Sequence, residues 1–192
     1  MAENDKGFRP PPEIVQKLMA FKAIKTRDGK FLIWDIPAFV SQMYAQVYLQ
    51  RLMEHSTGKK KTMDIIYNLG RMQSGQGFRI ISERFGYAKT LQDKKKLLEF
   101  NLGQSEMIGI GPLEPAVIDF SKEIFIIRGP ATFGTEYRRF FGQQQDAVDH
   151  FIRGGVAILV EQLIGKKALC IEERCVAQGH PHCEFVVKPL DA

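Results

Sequence analysis

Apolar positions in this chain recur at helical spacing in several stretches, with strand-like stretches between them. Val40, Met43, Tyr44, Val47, Tyr48 and Leu52 share one helical face and predict a helix over residues 37–55. Asp35 and Pro37 would open it, and Ser56-Thr57-Gly58 would break it. Ile65, Ile66, Leu69, Met72, Ile80 and Ile81 predict a second helix over 62–84. Its middle holds Gly70, Ser74, Gly75 and Gly77, which lower helix propensity. Small residues there point to close helix packing or to space for a ligand, and packing is the plainer choice. Thr90 with Asp93 has the form of a capping box and opens a third helix that stops near Gly103. Val148, Ile152, Ile158, Leu159 and Leu163 predict a fourth over 143–164, with Gly154-Gly155 at its centre and Gly165 as its stop.

Between these helices the pattern turns to hairpins. Segments 22–26 and 30–34 flank Arg27-Asp28-Gly29, and Asp-Gly favours a tight turn. Two strands are expected over 116–120 and 123–128, after a loop punctuated by Pro112 and Pro115. A last hairpin pairs 168–176 with 183–188. The stretch 129–142, with Pro130, Gly134 and several aromatics, reads as irregular. Residues 1–12 read as a flexible arm, followed by a short helical stretch at 13–19. Helices and antiparallel hairpins alternate without a βαβ rhythm. The expected class is α+β, an antiparallel sheet packed against a helical layer in a single domain over 13–192.

Bulk properties narrow the function. A chain of 192 residues suits one domain. No apolar run approaches the roughly 18 residues of a membrane span, and the polar N-terminus lacks a signal core, so a cytoplasmic protein is expected. The net charge of +5 includes Lys59-Lys60-Lys61 and Lys94-Lys95-Lys96. Neither run is interleaved with aromatics or arginines, so both read as solvated helix starts and faces, and nucleic acid is not the expected partner. Gly75-x-Gly77 and Gly109-x-Gly111 lack the third glycine of a dinucleotide loop, and no Walker-type loop or serine nucleophile elbow occurs.

The informative chemistry lies near the C-terminus. Cys170, Cys175 and Cys183 are the three cysteines of the chain. An odd count in a chain of cytosolic character argues against a disulfide framework. Cys175 and Cys183 stand at the two ends of a hairpin loop, with Gly179 available for a left-handed backbone. They form the best candidate metal pair, against the alternative of reduced, half-buried thiols. His180 and His182 are further candidates. Strand alternation places Glu173 on the face of Cys175, and Cys170 and Glu172 on the other. Bringing Glu172 beside Cys175 therefore requires a bulge or an early strand end.

The run Glu172-x-x-Cys175-x-x-x-Gly179-x-x-x-Cys183-x-Phe185 resembles the closing signature of the 4-vinyl reductase domain family. The Gly154-Gly155 helix ending at Gly165, and Ile66-Tyr67-Asn68-Leu69-Gly70 with Gly75, resemble it more loosely. The similarity covers about residues 20–188. It implies an α+β fold shared with the phenol-sensing domains of bacterial transcription activators and with subunits of a vesicle-tethering complex. Family members are typically dimers and often enclose an apolar ligand. The sensor branch holds zinc with three cysteines and a glutamate. Carried across, Glu172, Cys175 and Cys183 match three of these ligands, and the fourth falls on Asp149. That aspartate departs from the pattern, and His150 and Cys170 are the alternatives. With four protein ligands the zinc would be structural, joining the last helix to the last hairpin.

The resemblance also implies a small apolar or aromatic ligand near Phe125, Ile127, Phe133, Tyr137, Phe151 and Gly155, with an ordinary core as the competing reading of the same residues. Arg128 stands where sensors carry an aromatic ligand contact, which argues against phenol itself. The expected function is a zinc-stabilised, homodimeric sensor domain that signals through a downstream protein partner and is not an enzyme. The alternatives are a scaffold subunit of a protein assembly and, less favoured, an accessory protein of tetrapyrrole reduction.

Overall fold

The structure, a computed structural model, describes residues 24–85 and 89–190. The expected arm at 1–12 and helical stretch at 13–19 lie outside these residues, as does the start of the strand expected at 22. The first sheet is a three-stranded antiparallel meander of β1 (Ile24–Arg27), β2 (Lys30–Ile33) and β3 (Ile36–Ala38). Asp28 and Gly29 turn the first hairpin with φ of 51° and 73°, the pair of left-handed residues that a two-residue hairpin favours. Trp34 and Asp35 turn the second with φ of 54° and 67° and without a glycine, a conformation that must be held by its surroundings. Lys25 and Arg84 both pair with Asp35, and the Trp34 indole donates to Gln104 Oε1 at 2.8 Å. Asp35 and Pro37 therefore do not open a helix. Pro37 sits in the edge strand β3, where a missing N–H is tolerated, and α1 begins only at Met43 (Met43–Thr57).

The orientation of α1 also differs from expectation. Of its apolar set, Val47 is fully buried, whereas Tyr44, Tyr48 and Leu52 are exposed. Its inner face instead carries Gln50, 1% exposed, and the Glu54 carboxylate, which accepts from the Tyr137 hydroxyl at 2.6 Å. The inner surface of α1 is thus a polar network. Part of the apolar stripe lies against α4, where the Tyr48 ring meets Phe140 and Phe141 at 5.5 and 5.1 Å between centroids.

The long helix α2 (Lys59–Phe85) lies along α5 (His150–Ile164), and small residues permit the close approach. A Cβ on Gly70 would stand 2.0 Å from the Phe151 carbonyl oxygen, and one on Gly154 would stand 1.9 Å from that of Tyr67. The glycines of these helices serve packing. Ile81 of α2 is buried, but Ile65, Leu69 and Met72 face outward. α3 (Leu91–Met107) starts at the expected capping box, with Thr90 Oγ1 accepting the Asp93 N–H and Asp93 accepting the Thr90 N–H. It runs past Gly103, which is buried within the helix.

The second sheet comprises β4 (Glu114–Asp119), β5 (Ile124–Gly129), β6 (Ala168–Arg174) and β7 (Cys183–Pro189). Its order is β4-β5-β7-β6, antiparallel throughout. Phe125 and Ile127 of β5, Cys170 of β6 and Phe185 and Val187 of β7 meet Val156, Val160 and Leu163 of α5 in the core. The stretch 129–142 is not irregular: Thr132–Phe141 forms α4, with Gly134 and Tyr137 on its buried side. Phe133, Tyr137 and Phe140 recur at helical spacing, and Gly134 between them disguises the period. α5 is shorter than the expected 143–164. Gln144 N–H donates to Ala177 O at 2.8 Å, so residues 143–149 are tied as a loop to the last hairpin before the helix begins. The α+β class, with helices on an antiparallel sheet in one domain, is as expected.

Candidate metal centre

Three local features converge below the N-terminus of α5. Asp149 is the N-cap residue of that helix. Glu172 lies on β6, where the register passes from Glu172↔Phe185 to Arg174↔Glu184 and leaves Glu173 as a bulge. Past the bulge the strand ends, and Cys175 leads into a single 3-10 turn, Val176–Gln178. Cys183 begins β7, after the loop closes through Gly179 at φ 100°. The bulge is the device that Glu172 required to share a site with Cys175.

Asp149, Glu172, Cys175 and Cys183 are all buried, and a ligand atom from each lies within 4.8 Å of the others. Asp149 Oδ2 is 3.4 Å from Cys175 Sγ and 3.3 Å from Cys183 Sγ. Backbone N–H groups surround the cluster. Gly134 donates to Asp149 Oδ1 at 2.9 Å, Asp149 to Glu172 Oε2 at 3.1 Å, and Val176 to Cys183 Sγ at 3.3 Å. Gly134 escaped the sequence analysis as a site residue. A Cβ there would stand 2.4 Å from Asp149 Oδ2, so a glycine is needed for α4 to approach the carboxylate.

Two carboxyls and two thiols are thus buried together, and among the described residues no lysine or arginine pairs with either carboxyl. Glu172 Oε1 is buried with no hydrogen-bond partner. Burial pushes the Asp149 and Glu172 carboxyls well above the ordinary range, and proximity to Cys175 and to each other adds to it. A hydrogen bond between the thiols pulls Cys175 below the ordinary thiol range and pushes Cys183 above it. A buried cation would resolve this arrangement by taking the orphaned oxygen and the charge of the four donors. The donor set fits a metal ion.

The alternative fourth donors lie elsewhere. His150 turns its ring Nδ1 toward Arg153 at 3.2 Å, and burial followed by the Arg153 charge lowers its pKa to about 4. Cys170 is a buried core thiol outside the cluster. His180 is exposed, and His182 is outside the cluster.

The residues expected around a ligand are dispersed. Phe125 and Ile127 are fully buried in the sheet core, and Phe125 meets Phe120 edge-on at 5.1 Å. The Phe151 carbonyl abuts Gly70, and Gly155 abuts the Ser74 hydroxyl. Phe133 is half-buried against Tyr137 at 6.0 Å. Two cavities, of about 310 and 240 Å³, open beside α5, and of these six residues Tyr137 alone lines either. Arg128 is taken up by an ion pair with Glu184.

The fold and the cluster define an α+β domain whose last helix and last hairpin close on a buried carboxylate–thiol centre. A family model, that of the 4-vinyl reductase (V-4-R) domain, matches residues 138–189, the segment that contains all four cluster residues. The resemblance read from the sequence is borne out there. The chain is similar in fold to the phenol-responsive sensory domain of the transcription activator PoxR, solved with phenol. The TM-score is 0.78 at 19% identity, over 93% of this chain and 89% of that one. It is also similar to a vinyl-4-reductase family protein from Methanocaldococcus jannaschii, with a TM-score of 0.51 at 17% identity over 94% of both chains. No curated protein matches the chain. Among the described residues, no helix is long and apolar enough to cross a membrane.

Proposed function

We propose that this chain is a zinc-stabilised domain that senses a small apolar or aromatic molecule, acts as a homodimer and passes its signal to a partner protein. The observation that carries the proposal is the likeness of nearly the whole chain to a sensory domain that binds a small aromatic. The cluster supports zinc as the ion. A tetrahedral zinc with two sulfur and two oxygen ligands needs S···O edges of about 3.6 Å, and the edges from Asp149 Oδ2 to the two sulfurs are 3.4 and 3.3 Å. Four protein donors leave no open position for substrate, so the ion is structural and the domain non-catalytic. It fixes the start of α5 to the β6–β7 hairpin, two of the elements around which a ligand would be read. A second copy is supported by the outward apolar residues of α1 and α2, among them Leu49, Leu52, Ile65, Leu69 and Met72.

The test is native mass spectrometry of the purified protein with elemental analysis. One zinc per chain in a dimer, with additional bound organic mass, is expected. A metal-free chain without an adduct would overturn the proposal. A zinc-bound, ligand-free protein whose apolar face binds a different protein would instead favour a scaffold subunit, a reading that the outward stripe of α1 also supports.

A further inference from the structure

The cavity of about 310 Å³ lies where two helices begin. Its wall includes Lys59 and Lys60 at the start of α2 and His150 at the start of α5. Neither helix has an acidic residue in its first turn, and Asp149 makes no side-chain capping bond. Both helices therefore present the positive end of a macrodipole, with free N–H groups, toward one space.

The side chains add to this field. Two acids line the cavity, but both are matched. Asp146 pairs with Lys59 at 2.9 Å, and Glu54 accepts from Arg51 at 3.1 Å and from Tyr137 at 2.6 Å. Lys60 and Arg153 remain as lining cations with no acidic partner among the described residues. His150 is the independent pointer to a ligand. It is 9% exposed, and its ring lines the cavity. A guanidinium can only donate, so the 3.2 Å contact with Arg153 makes Nδ1 the acceptor and leaves the proton on Nε2. That Nε2–H has no partner among the described residues. Met63, Ala147, Val148 and the Tyr137 ring supply an apolar wall opposite these donors.

We propose that this cavity binds a small organic carboxylate, its anionic head held by His150 Nε2, Arg153, Lys60 and the two helix starts, and its body against Met63, Val148 and Tyr137. The matched acids nearby disfavour a multiply charged phosphate, and the apolar wall selects an organic body over an inorganic anion. The site stands apart from the apolar ligand proposed above, and either can fail without the other. Because Val148 and His150 flank Asp149, an occupant would touch the segment that supplies the metal cluster.

Calorimetric titration of the full chain with benzoate, acetate, benzyl alcohol and inorganic phosphate tests the site. Benzoate is expected to bind saturably at one site per chain, and benzyl alcohol, its neutral analogue, at least about tenfold more weakly, since charge-assisted bonds carry the recognition. Lys60→Gln changes an exposed residue and should weaken benzoate several-fold at unchanged metal content and melting temperature. His150→Phe, which keeps ring volume and removes the donor, should weaken it about tenfold. Absence of saturable binding of both benzoate and acetate would overturn the proposal. So would equal binding of benzyl alcohol, binding of phosphate alone, or benzoate affinity indifferent to both substitutions.

Discussion

Glu172 Oε2 accepts the backbone N–H of Asp149 at 3.1 Å, so two candidate metal ligands are joined directly, one on β6 and one at the start of α5. The helix and the hairpin thus meet through the donor set itself. Any ion held there closes a link between elements that the chain separates by the whole of α5, and its binding is coupled to folding.

Cys175→Ser and Cys183→Ser should each release the metal and lower the melting temperature. An ion present at a thousandfold excess over its dissociation constant stabilises the native state by about 4 kcal/mol. A loss of that order is expected, and a chelator should produce most of it in the parent protein. Elemental analysis with thermal melts decides the matter: a serine variant that keeps stoichiometric zinc and its melting temperature would show the site to be misassigned.

Asp149→Ala should weaken metal binding without abolishing the fold, because the two sulfurs and Glu172 remain. His150→Ala should leave metal affinity unchanged, since that ring faces Arg153 and the cavity. Competition with a colorimetric zinc chelator measures both. If Asp149→Ala has no effect, the fourth ligand passes to His150 or Cys170.

The hairpins and the cluster are legible in the sequence for different reasons. Asp28-Gly29 and the Thr90–Asp93 box are local signals whose partners lie within three residues, and both form as read. The bulge at Glu173 is legible as a requirement, since strand alternation alone would keep Glu172 from Cys175. Two elements are not legible because tertiary structure decides them. In α1 the apolar stripe is on the outer side, and the buried side is held by Gln50 and Glu54, whose partners Val148 and Tyr137 are far along the chain. In α4 a glycine that packing against Asp149 demands has, in the sequence, the look of an irregular segment.

Gly134 offers a test that touches no ligand. In Gly134→Ala the new Cβ would meet Asp149 Oδ2 at 2.4 Å, too close to stand without movement. Either α4 or the carboxylate must shift, at a cost of about 1–3 kcal/mol, and the displaced carboxylate should bind the metal less tightly. Zinc affinity and melting temperature should fall together. An alanine variant with parental zinc affinity would show that α4 does not position Asp149.

The pH dependence of stability should reverse sign when metal is bound. Without metal, burial raises the Asp149 pKa from 3.8 to about 8 and that of Glu172 from 4.5 to about 12. A carboxyl whose folded pKa is raised stabilises the fold fully below its unfolded value, and the contribution is lost as pH climbs toward the folded value. The apo protein should therefore lose stability from these groups as pH rises from about 4 to 8. Bound metal demands the ionised carboxylates and competes with their protons, so its affinity, and the stability it confers, should rise over the same interval. Melting temperatures across that range, with chelator and with excess zinc, should diverge with increasing pH. Parallel curves would mean that Asp149 and Glu172 do not exchange protons for the ion, and would remove them from the ligand set.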